Sequence, residues 1–105
     1  MRPAYELTAP ALEDLREIWN YIGVVNHNPA AADRLLSDIE NACQRLAEKP
    51  SLGHRRKDLA LDREVLFYCV REYYLVIYRI GTTPLQIARV LHGARDVARE
   101  LDELE

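Results

Sequence analysis

The stretch VLFYCVREYYLVIYRIGTTPLQIARVL, residues 65–91, decides the fold. It holds three apolar runs, Val65–Val70, Tyr73–Ile80 and Leu85–Leu91, each rich in β-branched and aromatic residues and each of ordinary strand length. Arg71-Glu72 leaves room only for a tight link, and Gly81-Thr82-Thr83-Pro84 carries turn residues. Strands joined this closely have no length for a crossover, so an antiparallel meander is predicted. Runs that lack polar alternation predict a sheet that is largely covered.

The cover is encoded upstream. Ala4-Tyr5-Glu6-Leu7-Thr8 alternates as a short strand does. Thr8 supplies an N-cap hydroxyl and Pro10 falls in the first helical turn. Leu12, Leu15, Ile18, Trp19 and Ile22 then recur at three- and four-residue spacing, with Glu13, Asp14, Arg16, Glu17 and Asn20 opposite, which predicts a helix ending near Gly23. After Asn26-His27-Asn28-Pro29, a second stripe of Ala32, Leu35, Leu36, Ile39, Cys43 and Leu46 runs to Lys49-Pro50, where the helix must stop. Two such helices in succession predict an antiparallel hairpin packed on one face of the sheet. Cys43 reads as a small core hydrophobe.

Ser51 to Glu64 is a polar connector with a short helical turn around Leu59–Leu61, and Ala94, Val97, Ala98, Leu101 and Leu104 stripe a short C-terminal helix. The predicted class is α+β, in the order strand, helix, helix, three strands, helix, within one domain spanning residues 1–105.

Composition narrows the possibilities. A 105-residue chain supports one core and can bury about two thirds of its surface. No apolar run approaches the roughly 20 residues of a membrane span, and no signal peptide opens the chain. With two cysteines the expected compartment is the cytoplasm, with both thiols reduced. The net charge of −3 hides an asymmetry: residues 1–52 carry five Lys/Arg and eight Asp/Glu, residues 53–99 nine and five, and residues 100–105 four acids with no base. The basic middle is a candidate anion-facing surface, or equally a set of arginines solvating a sheet.

Signatures of small-molecule catalysis are missing from the sequence. His27, His54 and His92 lie in separate segments without metal-ligand spacing, so neither a metal nor a cofactor is expected. There is no phosphate loop or nucleophile elbow, and Ser37 and Ser51 lack an obvious base partner. What remains is Arg89-Val90-Leu91-His92-Gly93-Ala94-Arg95-Asp96, a strand end, a glycine and a helix start that together suit an anion. The same residues also suit a plain turn in which Asp96 complements the helix dipole.

The chain resembles the RelE/ParE superfamily, the toxins of bacterial type II toxin–antitoxin modules. The resemblance rests on Tyr5-x-Leu7-Thr8, on Asp14-Leu15-x-x-Ile18-Trp19-x-Tyr21-Ile22, on Tyr74-x-Val76-Ile77-Tyr78-Arg79-Ile80, and on Ile87-x-Arg89-Val90-Leu91-His92-Gly93-x-Arg95-Asp96. It implies a cognate antitoxin, with DNA met only indirectly through that antitoxin, and a role in plasmid or locus maintenance. RelE-like members cleave mRNA on the ribosome, whereas ParE-like members inhibit DNA gyrase. RNA cleavage needs proton-transfer groups and cations, each worth roughly a hundredfold in rate. The strand positions where the RelE pattern is basic look like Leu66, Tyr68 and Leu75 here, Arg95 matches a late arginine, and the late tyrosine is missing.

These departures favour the ParE branch and a binding inhibitor. Arg71, Arg79, Arg89, His92, Arg95 and Asp96 are the expected target contacts, and Trp19, Leu36 and Tyr78 the expected antitoxin contacts. The alternative is a ribosome-dependent endoribonuclease acting on mRNA through Arg79, His92 and Arg95, with His54 or Tyr68 as further proton-transfer candidates. A non-toxic interaction module is the third possibility.

Overall fold

The computed structural model describes residues 4–55, 64–71 and 73–93. Strand β1 (Tyr5–Leu7) leads into helix α1 (Ala9–Asn20), which runs on as a π-helical turn over Tyr21–Val25. Helix α2 (Pro29–Glu48) follows, then a 3-10 turn at Pro50–Leu52 and strands β2 (Val65–Val70), β3 (Tyr74–Arg79) and β4 (Leu85–His92). The fold is α+β, as predicted. The turn around Leu59–Leu61 and the C-terminal helix lie outside the described residues.

Local chemistry accounts for the helix ends. The Thr8 hydroxyl accepts from the Ala11 N–H at 3.2 Å and donates to the Ala88 carbonyl at 2.8 Å, so one side chain caps α1 and ties it to β4. Asn28 caps α2 by accepting from the Ala31 N–H, and Pro50 follows the helix end. The first helix does not end cleanly near Gly23. Its α-helical part stops at Asn20 and the chain widens into the π-helical turn.

β2, β3 and β4 form the predicted antiparallel meander, with Tyr68 opposite Val76 and Val76 opposite Val90. The sheet is mixed, however, with order β1-β4-β3-β2, because β1 adds parallel to β4 with Tyr5 opposite Leu85 and Leu7 opposite Ile87. The β3–β4 register shifts between Ile77 and Tyr78, leaving Ala88 as the extra residue of a bulge.

Both faces of the meander are apolar, which explains its unbroken hydrophobic runs. Leu66, Val70, Val76, Tyr78, Leu85, Ile87 and Val90 pack with Ala11, Leu15, Leu35, Ile39, Cys43 and Leu46 of the helices. Val65, Leu75, Ile77 and Leu91 form a second cluster with Phe67 and Ala88. Cys43 sits in the core, where burial pushes its thiol up to about 12. Cys69 is exposed.

Two α1 positions depart from the predicted stripe. Leu12 is 41% exposed, whereas Asp14, read as part of the polar face, is buried at 8%. The cause is that α1 lies along the edge of β4 as well as over the sheet, so its buried face is rotated toward Asp14.

Candidate functional site

Helix α1 separates two grooves. The first, of about 680 Å³, runs between α1 and α2, with Leu7, Leu12, Leu15, Trp19 and Leu36 as its apolar lining and Glu13, Arg16 and Glu40 among its polar residues. Trp19 is held in a fixed pose. Its indole Nε1 donates to Asp33 Oδ1 at 2.9 Å, and its ring lies so close over Gly23 that a Cβ there would fall 3.0 Å from ring carbons. The structure therefore brings Trp19 and Leu36, two of the expected antitoxin contacts, into one trough.

Tyr78 does not join them. It is fully buried, its hydroxyl donating to the Pro50 carbonyl and accepting from the Gly53 N–H at 2.9 Å. A Cβ on Gly53 would lie 2.2 Å from that hydroxyl oxygen, so the glycine is needed for the close approach. Tyr78 thus presents no surface to a partner, because the 3-10 turn after α2 closes over it. Burial raises its phenol above the ordinary value, with the Gly53 hydrogen bond working the other way.

The second groove, of about 630 Å³, lies on the other flank of α1, against β4 and Tyr74. At its base Asp14 accepts from Arg89 Nε and Nη2 at 2.8 Å each and from the Val90 N–H at 2.9 Å. β1 pairs with β4 only as far as Ile87, so Asp14 closes part of the edge that β1 leaves uncovered. Sequence reasoning missed this residue. The available signal was its position beside Ala11, Leu15 and Ile18, at the border of the stripe.

His92, at the exposed end of β4, is flanked by Tyr73, whose ring is near-parallel at 6.5 Å, and by Tyr74, edge-on at 5.0 Å. Burial raises the Tyr74 phenol above its ordinary value, opposed by the charge of Arg71. Tyr21 of the π-helical turn lines the same groove.

Among the described residues, the expected target contacts do not form one cationic face. Arg71 pairs with Asp38 at 2.6 Å, Arg79 with Glu64 at 3.6 Å, and Arg89 with Asp14. Arg71 and His92 mark one end of the sheet, since Tyr74 stands opposite both Val70 and His92. Arg79 stands opposite Val65 and Gln86 at the other end, about 17 Å along β3 at the usual strand rise. Arg79 and His92, two of the three residues named for the ribonuclease alternative, are thus at opposite ends. Arg95 and Asp96 lie outside the described residues.

Leu66 and Leu75, two positions where the RelE pattern is basic, are buried apolar residues. Among the described residues no three His, Cys, Asp or Glu side chains gather as metal ligands, and no helix is long and apolar enough to cross a membrane.

The sequence matches the family model described as the ParE toxin of type II toxin-antitoxin system, parDE, over residues 5–97. The chain belongs to the ParE toxin family. Its fold is similar to a solved chain described as the chromosomal ParDE TA system from P. aeruginosa, with a TM-score of 0.66 and 20% identity, covering 85% of this chain and 94% of that one. No curated protein matches the sequence. Within the broader resemblance, the match is to the ParE branch. The two grooves and the buried Asp14–Arg89 pair are thus features of a ParE-family toxin.

Proposed function

We propose that this ParE-family toxin acts by binding DNA gyrase and blocking its turnover, and that a cognate antitoxin neutralises it by laying an amphipathic helix into the α1–α2 groove. The observation that carries the antitoxin part is the trough itself, an open apolar channel built on Trp19 and Leu36 with charged residues along it. An amphipathic helix buries its apolar face in such a groove while its polar face stays in water. The gyrase part rests on family membership. It is supported by the placement of the described arginines Arg71, Arg79 and Arg89, each paired with a different carboxylate and not gathered around one phosphate site. The toxin works in the cytoplasm, and DNA is met only through the antitoxin.

The deciding experiment titrates purified toxin against gyrase supercoiling and, in parallel, against a translating ribosome carrying mRNA. Loss of supercoiling with intact mRNA is the expected result, and equimolar antitoxin restores supercoiling. Codon-position cuts in mRNA with supercoiling untouched would replace this reading with the endoribonuclease. Normal growth of cells expressing the chain without an antitoxin would leave it an interaction module.

A further inference from the structure

With the first groove given to the antitoxin, the second is left without a role, and its chemistry is specific. Tyr74, His92 and, from the helical wall, Tyr21 line it, and Tyr73 stacks on His92 just outside the lining. Tyr21 and Tyr73 are 61% and 62% exposed, so ring surface faces solvent. Val24 and Val25, on the same π-helical turn as Tyr21, are also exposed. Four exposed residues with this much apolar surface mark a contact surface.

Charge then selects what enters. The Arg89 guanidinium is taken up by Asp14, which leaves the pair neutral. Glu17, exposed on the groove wall, makes no ion pair with a described residue. Among the described lining residues the balance is one carboxylate in excess, beside the rings of Tyr21, Tyr74 and His92. A phosphate arriving here would be repelled by Glu17. A guanidinium or ammonium group would gain both the carboxylate and the ring faces.

We propose that the second groove is the target seat, and that it receives an arginine or lysine side chain carried on a protein segment of gyrase, with apolar neighbours covering Val24 and Val25. This rests on the gyrase reading above. It moves the working surface away from the arginines of the sheet and onto the aromatic rim. It also puts target and antitoxin on opposite flanks of α1.

Glu17 borders both grooves, so the first variants use Tyr21, which lines only the second, and Tyr73, which stacks on the His92 of that lining and borders neither groove directly. Gyrase supercoiling is titrated with wild type, Tyr21→Ala/Tyr73→Ala, Tyr21→Phe and Glu17→Lys, alongside melting curves and antitoxin affinity. The double-alanine protein raises the half-inhibitory concentration about tenfold or more with antitoxin affinity unchanged, and Tyr21→Phe stays within about twofold of wild type. Glu17→Lys weakens inhibition as well, although it would strengthen any contact with DNA phosphate. Undiminished inhibition by the double-alanine protein overturns the proposal while leaving the gyrase reading intact. Stronger inhibition by Glu17→Lys overturns it in favour of nucleic acid. Antitoxin affinity lost in parallel, or a wild-type dimer broken by the same two alanines, overturns it by giving the groove another occupant. A wild-type protein that leaves supercoiling untouched overturns the gyrase reading and this proposal with it.

Discussion

Asp14 and Arg89, 75 residues apart in sequence, form a two-pronged ion pair whose carboxylate also accepts the Val90 N–H. The pair is almost wholly removed from solvent, with side-chain exposures of 9% and 13%. Burying it requires desolvating both charges, and full hydrogen bonding offsets that cost. Its consequence is positional: it holds α1 against the edge of β4 and so fixes the wall between the two grooves.

Asp14→Ala removes the carboxylate that takes two hydrogen bonds from the buried guanidinium and one from the Val90 N–H. The expected loss is about 3–5 kcal/mol of unfolding free energy, measured by urea denaturation. Replacing both partners, as Asp14→Leu with Arg89→Met, recovers much of that loss because no buried charge is left short of its carboxylate. A double variant as unstable as Asp14→Ala would refute this account.

Tyr78→Phe removes a hydroxyl that makes two hydrogen bonds to the 3-10 turn, leaving the Pro50 carbonyl and the Gly53 N–H unmatched. Stability falls by about 1–3 kcal/mol. Antitoxin affinity at a temperature well below melting stays the same, because Tyr78 presents no surface. A calorimetric titration that showed weaker antitoxin binding by the folded variant would return Tyr78 to the interface.

Trp19→Ala empties the centre of the first groove. Since Trp19 is only half-buried, the fold persists, and antitoxin affinity drops by about 2 kcal/mol or more, close to thirtyfold. Gly23→Ala is a subtler test. Its new methyl group presses on the Trp19 ring and weakens antitoxin binding in the same direction by a smaller factor.

The two cysteines separate by reactivity. A thiol reagent at pH 8 titrates the exposed Cys69 in the native protein and both thiols after denaturation. Cys43 keeps its proton because burial raises its folded-state value to about 12, above its unfolded value near 9. The folded state therefore holds this proton more tightly, and the resulting stability is complete below pH 9 and lost as pH rises toward 12. Cys43→Ala removes part of this alkaline decline, measured as the fall in denaturation midpoint from pH 8.5 to 10.5. An unchanged slope would assign the decline to the phenols of Tyr5, Tyr74 and Tyr78, which burial also raises.

The sequence by itself determined the elements. Thr8, Asn28 and Pro50 mark helix ends through local hydrogen bonding and backbone sterics, and the apolar runs of residues 65–91 mark the meander, because these signals act within a few residues. Tertiary structure alone decided how α1 rolls on the sheet, and with it that Asp14 turns inward and Leu12 outward. It also decided that β1 pairs parallel with β4, and that each sheet arginine faces a carboxylate from elsewhere in the chain. A periodic stripe gives a helix an apolar side but does not say which neighbour lies at the border of that side. Charge counted along the chain found a basic middle, and charge counted in space found ion pairs. Coulomb interaction depends on separation through the fold, not on separation along the sequence.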